Sequence, residues 1–305
     1  MSLENTPLFS ILMANYNNGR YLQEAIDSVL TQTYDNWEVI LVDDKSTDDS
    51  QAIYDQYASD ARFRIFYNDV NRGCGYTKRR CVDLAAGELC AYLDPDDALM
   101  PTALETMVRE HREHPECSLI YSTAYRYSGD RDAEMPVWDY VGAIPEGKDF
   151  IVYRKKLVFH FAAFKKQAYD RTGGTDPYLK ADVDRDLYLR LEEVGKLRHF
   201  PVPLYLYRIN NANSISIGSK AADTRAYHYS VVCQLEAICR RMGGELYRRN
   251  EEDYLQYMRV LMDVFHRSFL YDRKRFIKYA FSYLKGRRFS PHAFSHIYKI
   301  LKKKK

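Results

Sequence analysis

Three carboxylates crowd the segment Tyr92–Asp97, directly after a short apolar run. The run Leu89–Leu93 has the length and composition of a buried strand, and a proline ends it. Asp94, Asp96 and Asp97 are therefore expected on a turn at the carboxyl end of a strand, where open α/β sheets bind ligands. Like charges this close together need a cation or solvent, and oxygen ligands favour Mg²⁺ or Mn²⁺ over zinc. The alternative is a solvated Asp-Pro turn.

Strand and helix signals alternate along the first hundred residues. Apolar runs at 8–13, 37–42 and 63–67 have the length of strands, and a helix pattern follows each of them. Short connections between such units predict parallel strands joined by right-handed crossovers. We therefore expect an α/β fold with a mostly parallel central sheet, of the kind that binds nucleotides. From about residue 100 the pattern is mixed, and beyond about residue 220 it is helical.

The composition indicates a globular protein with a basic tail on an acidic body. Of the 305 residues, 46% are hydrophobic, which excludes wholesale disorder. Residues 271–305 hold 12 Lys and Arg and one acid, whereas residues 1–270 hold 33 basic and 41 acidic residues. The six cysteines form no Cys-x-x-Cys pair, and the sequence has neither a secretory signal nor a membrane-spanning apolar stretch. We expect a cytoplasmic protein with reduced cysteines.

Five motifs follow one another between residues 8 and 217. They are Ile11–Asn17 at the first strand, the helix signature Ala25–Tyr34, Val42–Asp48 at the end of the second strand, the turn Asp94–Asp97, and Asp184 with its neighbours. In sequence and in order they resemble the family 2 glycosyltransferases, inverting enzymes of the GT-A fold that use sugar nucleotides. Ala14 stands where many members have a proline, and Lys45 replaces the usual glycine.

The resemblance also implies a division of the chain. Residues 1–217 would form a GT-A-like catalytic domain, with a nucleotide and metal part at about 8–100 and an acceptor part at about 101–217. Residues 218–305 would form a helical, basic C-terminal extension.

The resemblance assigns five residues to the nucleotide. Asp44, after the second strand, would accept a hydrogen bond from the uracil imide or from a hydroxyl, and Tyr16 would stack on the base. Ala14, in the first motif, belongs to the same set. On the helix before the carboxylate turn, Arg79 best matches the family's nucleotide-contacting arginine and would offset diphosphate charge, although a solvated helix face is the alternative. Asp94 would contact the ribose or complete the carboxylate cluster.

A divalent cation, Mn²⁺ or Mg²⁺, is the implied cofactor. The middle carboxylate Asp96 would ligate it, and Asn210 stands where members often carry a histidine that completes the metal shell. Asp97 would be either a second ligand or a cap of the following helix. A bound cation would stabilise the charge that develops on the diphosphate leaving group.

Asp184 is the predicted catalytic base. A carboxylate within hydrogen-bond reach can take the proton of an acceptor hydroxyl, and attack opposite the nucleotide inverts the anomeric carbon. Many members have Glu-Asp here, whereas this chain has Val183 before Asp184, so Asp182 remains an alternative base. His160 and His199 are predicted to be structural.

Two amphipathic helices are predicted in the basic tail. Apolar residues recur at helical spacing within Phe276–Leu284 and Phe294–Leu301, with Lys and Arg on the other faces. This pattern is typical of helices that lie on a membrane surface. The alternative is that the apolar stripe packs on the catalytic domain. No nucleic-acid-binding module is recognised, so we do not expect a nucleic-acid partner.

The sequence therefore predicts a metal-assisted inverting glycosyltransferase. Its donor would be a nucleotide-sugar, a UDP-sugar in this prediction, and its acceptor a glycan or a lipid-linked sugar at the inner membrane face. A sugar-phosphate nucleotidyltransferase is one alternative, although no Gly-rich nucleoside triphosphate loop follows Met13. A non-catalytic nucleotide-sugar-binding relative is another, and the presence of Asp184 argues against it.

Overall fold

The described part of the chain folds around one mixed sheet of eight strands. A computed structural model of the protein describes residues 6–130, 133–153, 155–209, 224–268 and 272–302. The strands are β1 (Phe9–Asn15), β2 (Trp37–Asp43), β3 (Phe63–Tyr67), β4 (Leu89–Tyr92), β5 (Ala98–Leu99), β6 (Cys117–Tyr127), β7 (Ala162–Lys165) and β8 (Lys196–Arg208).

Helices connect the strands and form the end of the chain. In the first part they are α1 (Gly19–Leu30), α2 (Ser50–Tyr57), α3 (Cys74–Leu84), α4 (Ala103–Glu113), α5 (Lys166–Asp170) and α6 (Val183–Glu192). Beyond β8 they are α7 (Thr224–Arg241), α8 (Glu245–Arg249), α9 (Glu251–Arg267), α10 (Arg273–Gly286) and α11 (Pro291–Lys302). The helical end predicted for the chain is therefore present in its described residues.

Six strands run in one direction and two run against them. The order across the sheet is β3-β2-β1-β4-β7-β6-β8-β5, with β7 and β5 antiparallel to their neighbours. The chain builds outward from β1 to β3 and then continues at β4 on the other side of β1, so the strand order reverses there. Open α/β sheets bind ligands outside the carboxyl ends of the strands at this point. The predicted α/β fold with a mostly parallel sheet is confirmed.

The two sides of β1 face two separate hydrophobic cores. Ile11 and Met13 lie in a cluster with residues of α1, α2 and α4. Leu12 belongs to a second cluster, which contains residues of α3, α6 and the C-terminal helices. Side chains alternate between faces along a strand, so the largely apolar sequences of β1 and β2, in which the polar Ser10 and Glu38 bond to each other, reflect helices on both faces. This layering fixes the strand ends and the residues that follow them.

The C-terminal helices share a core with the sheet. The cluster that contains Leu12 also contains Val183 of α6, Tyr254 of α9 and Tyr283 of α10. The extension therefore packs on the helix that begins beside Asp184. Among the described residues, no helix has both the length and the hydrophobicity that crossing a bilayer requires.

A buried ion cluster fastens α7 to the rest of the protein. Arg241 has a side chain that is only 1% exposed, and its Nη2 lies 2.9 Å from Oε2 of Glu192. Its Nη1 donates to the hydroxyl of Tyr254 at 2.9 Å, and that hydroxyl donates to Oδ2 of Asp149 at 2.6 Å. Burial raises the pKa of Glu192 to about 7, although Arg241 opposes this shift. One guanidinium therefore compensates two buried acids.

Removing this guanidinium should destabilise the fold. Arg241→Leu leaves buried carboxylates without a counter-charge, which costs about 3–5 kcal/mol of unfolding free energy. The matched control is Arg249→Leu, which removes an exposed ion pair with Glu245 on α8 and costs at most about 1 kcal/mol. Urea unfolding of the two variants measures both losses. Equal losses would contradict the assignment of Arg241 as the compensating charge.

Candidate active site

The carboxyl ends of β1, β2 and β4 form one edge of a cleft. Asn15 pairs with Asp43 at the ends of β1 and β2, and Leu12 pairs with Tyr92, which precedes Asp94 by two residues. The polar residues that follow these strands therefore meet at this edge. Along the cleft lie a first cavity of about 540 Å³, a central cavity of about 130 Å³ and a third cavity of about 340 Å³.

The first cavity brings together three of the predicted nucleotide-binding residues. Ala14, Tyr16 and Asp44 line it, together with residues of the loop before α3. Tyr16 exposes 48% of its surface, so its ring is open to a ligand. The volume of about 540 Å³ lies within the range of small-molecule pockets, about 300–1,000 Å³.

Asp44 holds the loop before α3 against this cavity. Its buried carboxylate accepts hydrogen bonds from the backbone N–H groups of Arg72 and Gly73, at 2.7 and 2.8 Å, and from Nδ2 of Asn68 at 2.7 Å. Gly73 has a φ of +87°, in the left-handed region that glycine adopts at no steric cost. An ionised carboxylate offers about four acceptor sites. Asp44 therefore keeps acceptor capacity for a ligand.

Four ionisable side chains meet where the central and third cavities join. Nζ of Lys78 lies 3.0 Å from Oδ1 of Asp94 and 2.8 Å from Oδ1 of Asp184. Nε2 of His160 lies 3.4 Å from Oδ2 of Asp184 and 3.8 Å from Oδ2 of Asp94. The lysine side chain is 5% exposed, whereas the two carboxylates are 28% and 27% exposed. Lys78 and His160 therefore each contact the same two carboxylates, and the carboxylates are more exposed to the cleft than the lysine is.

The charged side chains of this cluster shift the pKa values of Lys78 and Asp184 in the direction that favours the charged form of each. Burial alone would lower the pKa of Lys78, but the carboxylates of Asp184 and Asp94 outweigh burial and raise it well above its usual value. Burial alone would raise the pKa of Asp184, but Lys78 and His160 hold it below its usual range. The cluster therefore keeps a permanent ammonium between two carboxylates.

Buried aromatic rings and a helix end position these side chains. Lys78 lies on the buried face of α3, with its ammonium 4.8 Å from the ring centroid of Tyr92. Its backbone carbonyl accepts a hydrogen bond from the Tyr92 hydroxyl at 2.8 Å. Asp184 lies in the first turn of α6. His160 stacks on Tyr205 of β8, with ring centroids 5.2 Å apart.

The other two carboxylates of the turn after β4 have different surroundings. Asp96 and Asp97 both line the central cavity, but Asp97 is buried and accepts a hydrogen bond from the backbone N–H of Arg208 at 2.7 Å. Burial, and then the charges of Asp96 and Asp94, raise the pKa of Asp97 well above its usual value. The N-cap residue of α4 is Thr102, so the interpretation of Asp97 as a helix cap is wrong. Asp97 ties the turn to β8, and the alternative that it is a second metal ligand stays a prediction.

The donor atoms of the cleft suit a hard divalent cation. Within the described residues, ligating atoms of Asp94, His160 and Asp184 lie within 4.8 Å of one another. Asp96 adds a further carboxylate to the lining of the central cavity. Carboxylate oxygens are ligands that Mg²⁺ and Mn²⁺ prefer. Asn210, the other predicted ligand, lies outside the described residues.

The cation at the floor of the cleft is Lys78, the neighbour of the predicted Arg79. The guanidinium of Arg79 donates to the backbone carbonyl of Thr175 at 3.0 Å and lies 3.9 Å from the carboxylate of Asp83. Arg79 lines none of the three cavities of the cleft. Lys78 precedes the buried Cys81 by three residues, and residues at this spacing share a helix face. Arg79 precedes the buried Val82 by the same three residues, so the sequence alone could not have distinguished the two cations.

Geometry also separates the candidate bases and the histidines. Asp182 and Asp184 both line the central and third cavities, but Asp182 pairs with Nε of Arg185 at 2.7 Å, whereas Asp184 pairs with Lys78. His160, predicted to be structural, contacts that cluster, and its apolar sequence context gave no sign of this. His199 lies on β8, outside the lining of the three cavities.

Comparison with known proteins identifies the family to which the chain belongs. Residues 10–175 match the family model described as glycosyl transferase family 2. The chain is 32% identical to chondroitin synthase of Escherichia coli over 238 residues, which cover 76% of this chain and 33% of that protein. The chain thus spans about a third of this relative's length.

Two solved structures share the fold. One is TarS of S. aureus in complex with UDP, with a TM-score of 0.64 and 14% identity over 91% of this chain and 80% of that chain. The other is the mannosyltransferase PcManGT from Pyrobaculum calidifontis in complex with GDP-Man and Mn²⁺, with a TM-score of 0.58 and 14% identity over 97% of this chain and 80% of that chain. The chain belongs to glycosyl transferase family 2, as its motifs predict.

Proposed function

We propose that the chain transfers a sugar from a UDP-sugar to a hydroxyl of a glycan or lipid-linked acceptor, with inversion at the anomeric carbon. The observation that carries this proposal is the meeting of Asp94, Asp184 and Lys78 in the cleft. A carboxylate that can take a proton lies there beside a cation that can neutralise a leaving group. When a hydroxyl displaces a diphosphate, the carboxylate can accept the proton of the hydroxyl and the cation can stabilise the charge of the diphosphate.

The first cavity would hold the nucleoside. Tyr16 offers an exposed ring for stacking on the base, and Asp44 keeps acceptor capacity for the uracil imide N–H or a ribose hydroxyl. Ala14 lines both the first and the central cavity, and Asp94 lines the central one. These two residues would therefore border the ribose and the diphosphate. The UDP bound to TarS, which has the same fold, supports a uridine nucleotide here.

Lys78 and a divalent cation, Mn²⁺ or Mg²⁺, would neutralise the diphosphate. Asp96 and Asp94 would hold the cation, because both carboxylates line the central cavity. When bound, the cation supplies electrostatic stabilisation of the leaving group. The ammonium of Lys78 would donate charge-assisted hydrogen bonds to phosphate oxygens, which are stronger than neutral ones. The Mn²⁺ in the PcManGT complex supports this choice of metal.

Asp184 would take the proton of the acceptor hydroxyl. The hydroxyl oxygen would then attack the anomeric carbon from the side opposite the diphosphate, and departure of the diphosphate would invert that carbon. His160 lies 3.4 Å from Oδ2 of Asp184 and would keep the carboxylate in position. Family membership argues against the alternative of a sugar-phosphate nucleotidyltransferase. A non-catalytic relative would bind the donor without turnover, which a substitution of Asp184 distinguishes.

Calorimetry with UDP tests the donor site. In the presence of Mn²⁺ we expect UDP to bind the wild-type protein, and we expect EDTA or Asp96→Ala to abolish binding. Lys78→Met removes a charge-assisted hydrogen bond worth about 1.5–3 kcal/mol, which corresponds to a roughly 10- to 100-fold loss of UDP affinity. Arg79→Met is the matched control on the same helix and should leave the affinity unchanged.

Each component of this proposal has its own contrary result. Absence of UDP binding to folded wild-type protein would exclude a UDP donor. Binding that persists in EDTA and in the Asp96→Ala variant would exclude the metal. Equal losses in the Lys78 and Arg79 variants would remove the assigned role of Lys78.

Replacing the proposed base tests the chemical step. Asp184→Asn keeps the shape of the side chain but cannot take a proton, so we expect transfer to slow by about 10²–10⁴-fold while UDP affinity is retained. Asp182→Asn, two residues earlier, should cause a much smaller loss. The anomeric configuration of the product, measured by NMR, should be opposite to that of the donor. A retained configuration, or full activity in Asp184→Asn, would contradict the mechanism.

An exposed aromatic surface supports peripheral contact with a membrane on its cytoplasmic side. Phe289 lies between Phe281 and Phe294, with ring centroids 5.8 and 6.4 Å away, so the patch runs from α10 to α11. We call this the α10–α11 surface. Its large apolar side chains are each 46–59% exposed, and they are Ile277, Phe281, Phe289, Phe294, Tyr298 and Leu301.

Unpaired cations surround this surface. Arg275 and Lys278 form ion pairs with Glu236, and Arg287 pairs with Glu252. Six other basic residues of the two helices and their connection are exposed and have no acidic partner in the part of the chain that is described. They are Arg273, Lys274, Lys285, Arg288, Lys299 and Lys302. Each cation near an anionic bilayer contributes about 1 kcal/mol, so apolar insertion and charge act together.

Vesicle cosedimentation tests the α10–α11 surface. We expect the protein to sediment with phosphatidylserine-containing vesicles, less at high salt, and not with phosphatidylcholine alone. The double variant Phe281→Ser, Phe294→Ser should lose this binding. The control double variant Tyr227→Ser, Val260→Ser removes exposed apolar groups elsewhere and should keep it. A different result would contradict membrane binding. If the wild-type protein does not bind anionic vesicles but forms a dimer, and the first double variant is monomeric, the surface binds a second copy of the chain.

A further inference from the structure

The third cavity lies on the opposite side of the carboxylates from the first. The first and central cavities share Ala14, Asn18 and Cys74, and the central and third cavities share Asp94, Asp182, Asp184 and Tyr207. The first and third cavities have no lining residue in common. The three cavities therefore follow one another along the cleft, with the carboxylates between the second and the third.

Three aromatic rings form one wall of the third cavity. Trp138 lies 5.0 Å from Phe159 and 5.1 Å from Tyr207, and Phe159 lies 5.2 Å from Tyr207, measured between ring centroids. Phe150 and Tyr188 also line the cavity. Trp138 is half-buried, so one part of its indole remains open to the cavity. Interlocked rings of this kind give a rigid apolar surface that loses little entropy on binding.

Polar groups of the cavity are concentrated at one end. Arg185 and Asp182 neutralise each other, with Nε and Oδ2 2.7 Å apart. Asp94, His160 and Asp184 stand where the cavity meets the central one. A pocket with an apolar wall and a few convergent polar groups selects a ligand with an apolar face and an oriented hydroxyl. Its volume of about 340 Å³ is at the small end of ligand pockets, about 300–1,000 Å³.

We infer that the third cavity binds the terminal sugar ring of the acceptor, with the apolar ring face on Trp138 and one hydroxyl directed at Asp184. This inference rests on the proposed glycosyl transfer and names where its acceptor binds. The acceptor oxygen forms the bond to the anomeric carbon of the donor, and its proton passes to the Asp184 carboxylate. The bond from that carbon to the diphosphate breaks, and its electron pair leaves with UDP. The order of the cavities places acceptor and leaving group on opposite sides, as this displacement requires.

Tryptophan fluorescence can report on this cavity selectively. The chain has two tryptophans. Trp37 is 4% exposed, lies at the start of β2, and contacts Phe63 at a centroid distance of 5.9 Å. The cleft lies at the other end of that strand. A sugar that enters the third cavity should therefore change the emission of Trp138 alone.

The experiment titrates UDP-saturated protein with the methyl β-glycosides of glucose, galactose, N-acetylglucosamine, N-acetylgalactosamine and glucuronic acid. We expect at least one glycoside to change the emission in the wild type and in Trp37→Phe but not in Trp138→Phe. The glycoside that changes the emission should also accelerate the release of UDP from the UDP-sugar that the protein uses as donor. For that reaction Trp138→Ala should raise the KM for the acceptor roughly tenfold or more and leave the KM for the donor unchanged. A tenfold rise corresponds to a loss of about 1.4 kcal/mol of binding free energy. Tyr140→Ala, a nearby residue that is 64% exposed and outside the cavity, should alter neither.

The outcomes separate this inference from the proposal on which it rests. If UDP binds but no glycoside changes the emission of the wild-type protein, the acceptor assignment is overturned and the donor site stands. If Trp138→Ala raises the donor KM instead, the cavity holds the donor sugar and the inference is equally overturned. If UDP does not bind, the proposed function fails before the acceptor is tested.

Discussion

The ammonium of Lys78, held between the carboxylates of Asp94 and Asp184, is the interaction on which the geometry of the cleft depends. A lysine that is 5% exposed has lost most of its hydration, and a buried ammonium is tolerated only where close counter-charges replace that hydration. The two carboxylates come from the end of β4 and from the first turn of α6, and the lysine comes from α3. Electrostatic balance therefore sets the relative positions of three elements that are distant in sequence. The same ammonium lies where a leaving group would need a positive charge, so one interaction serves both the folded site and its proposed chemistry.

The sheet makes this meeting possible because it gathers several strand ends at one edge. Strand β1 lies between β2 and β4, and their parallel registers bring the residues after Asp43 and after Tyr92 to the same side. Helices on both faces bury these strands, which explains why their sequences are largely apolar. Carboxylates at such ends need hydrogen-bond donors, and two that are buried find them in neighbouring segments: Asp44 holds the loop before α3 and Asp97 holds β8.

The sequence was sufficient to predict elements that leave a pattern in consecutive residues. It was insufficient for residues whose contacts lie far away along the chain. The strands β1 to β4 are visible as apolar runs or alternating patterns, and β2 and β4 lead into acids, because the burial of a strand leaves a pattern in consecutive residues. Strand β8 was not predicted, since charged residues and two prolines interrupt its pattern and its pairing with β6 supplies the missing stability. Lys78 and Arg79 are both plausible cations on one helix, and only the packing of α3 decides which of them is buried toward the acids. His160 has no local signal at all, because its partners are carboxylates far along the chain.

The C-terminal extension belongs to the scaffold of the site as well as to the protein surface. Helix α6 carries Asp184 in its first turn and Glu192 at its last residue, ten residues that span about 15 Å. Glu192 pairs with Arg241 of α7 and accepts a hydrogen bond from the backbone N–H of Phe150 at 2.8 Å. Phe150 in turn lines the third cavity. The buried cluster around Arg241 thus fixes the far end of the helix that presents the proposed base and, through Phe150, one wall of the neighbouring cavity. A helix held at one end by a buried ion cluster and at the other by Lys78 has little freedom to tilt. The extension therefore restrains the geometry in which a base and an acceptor would meet.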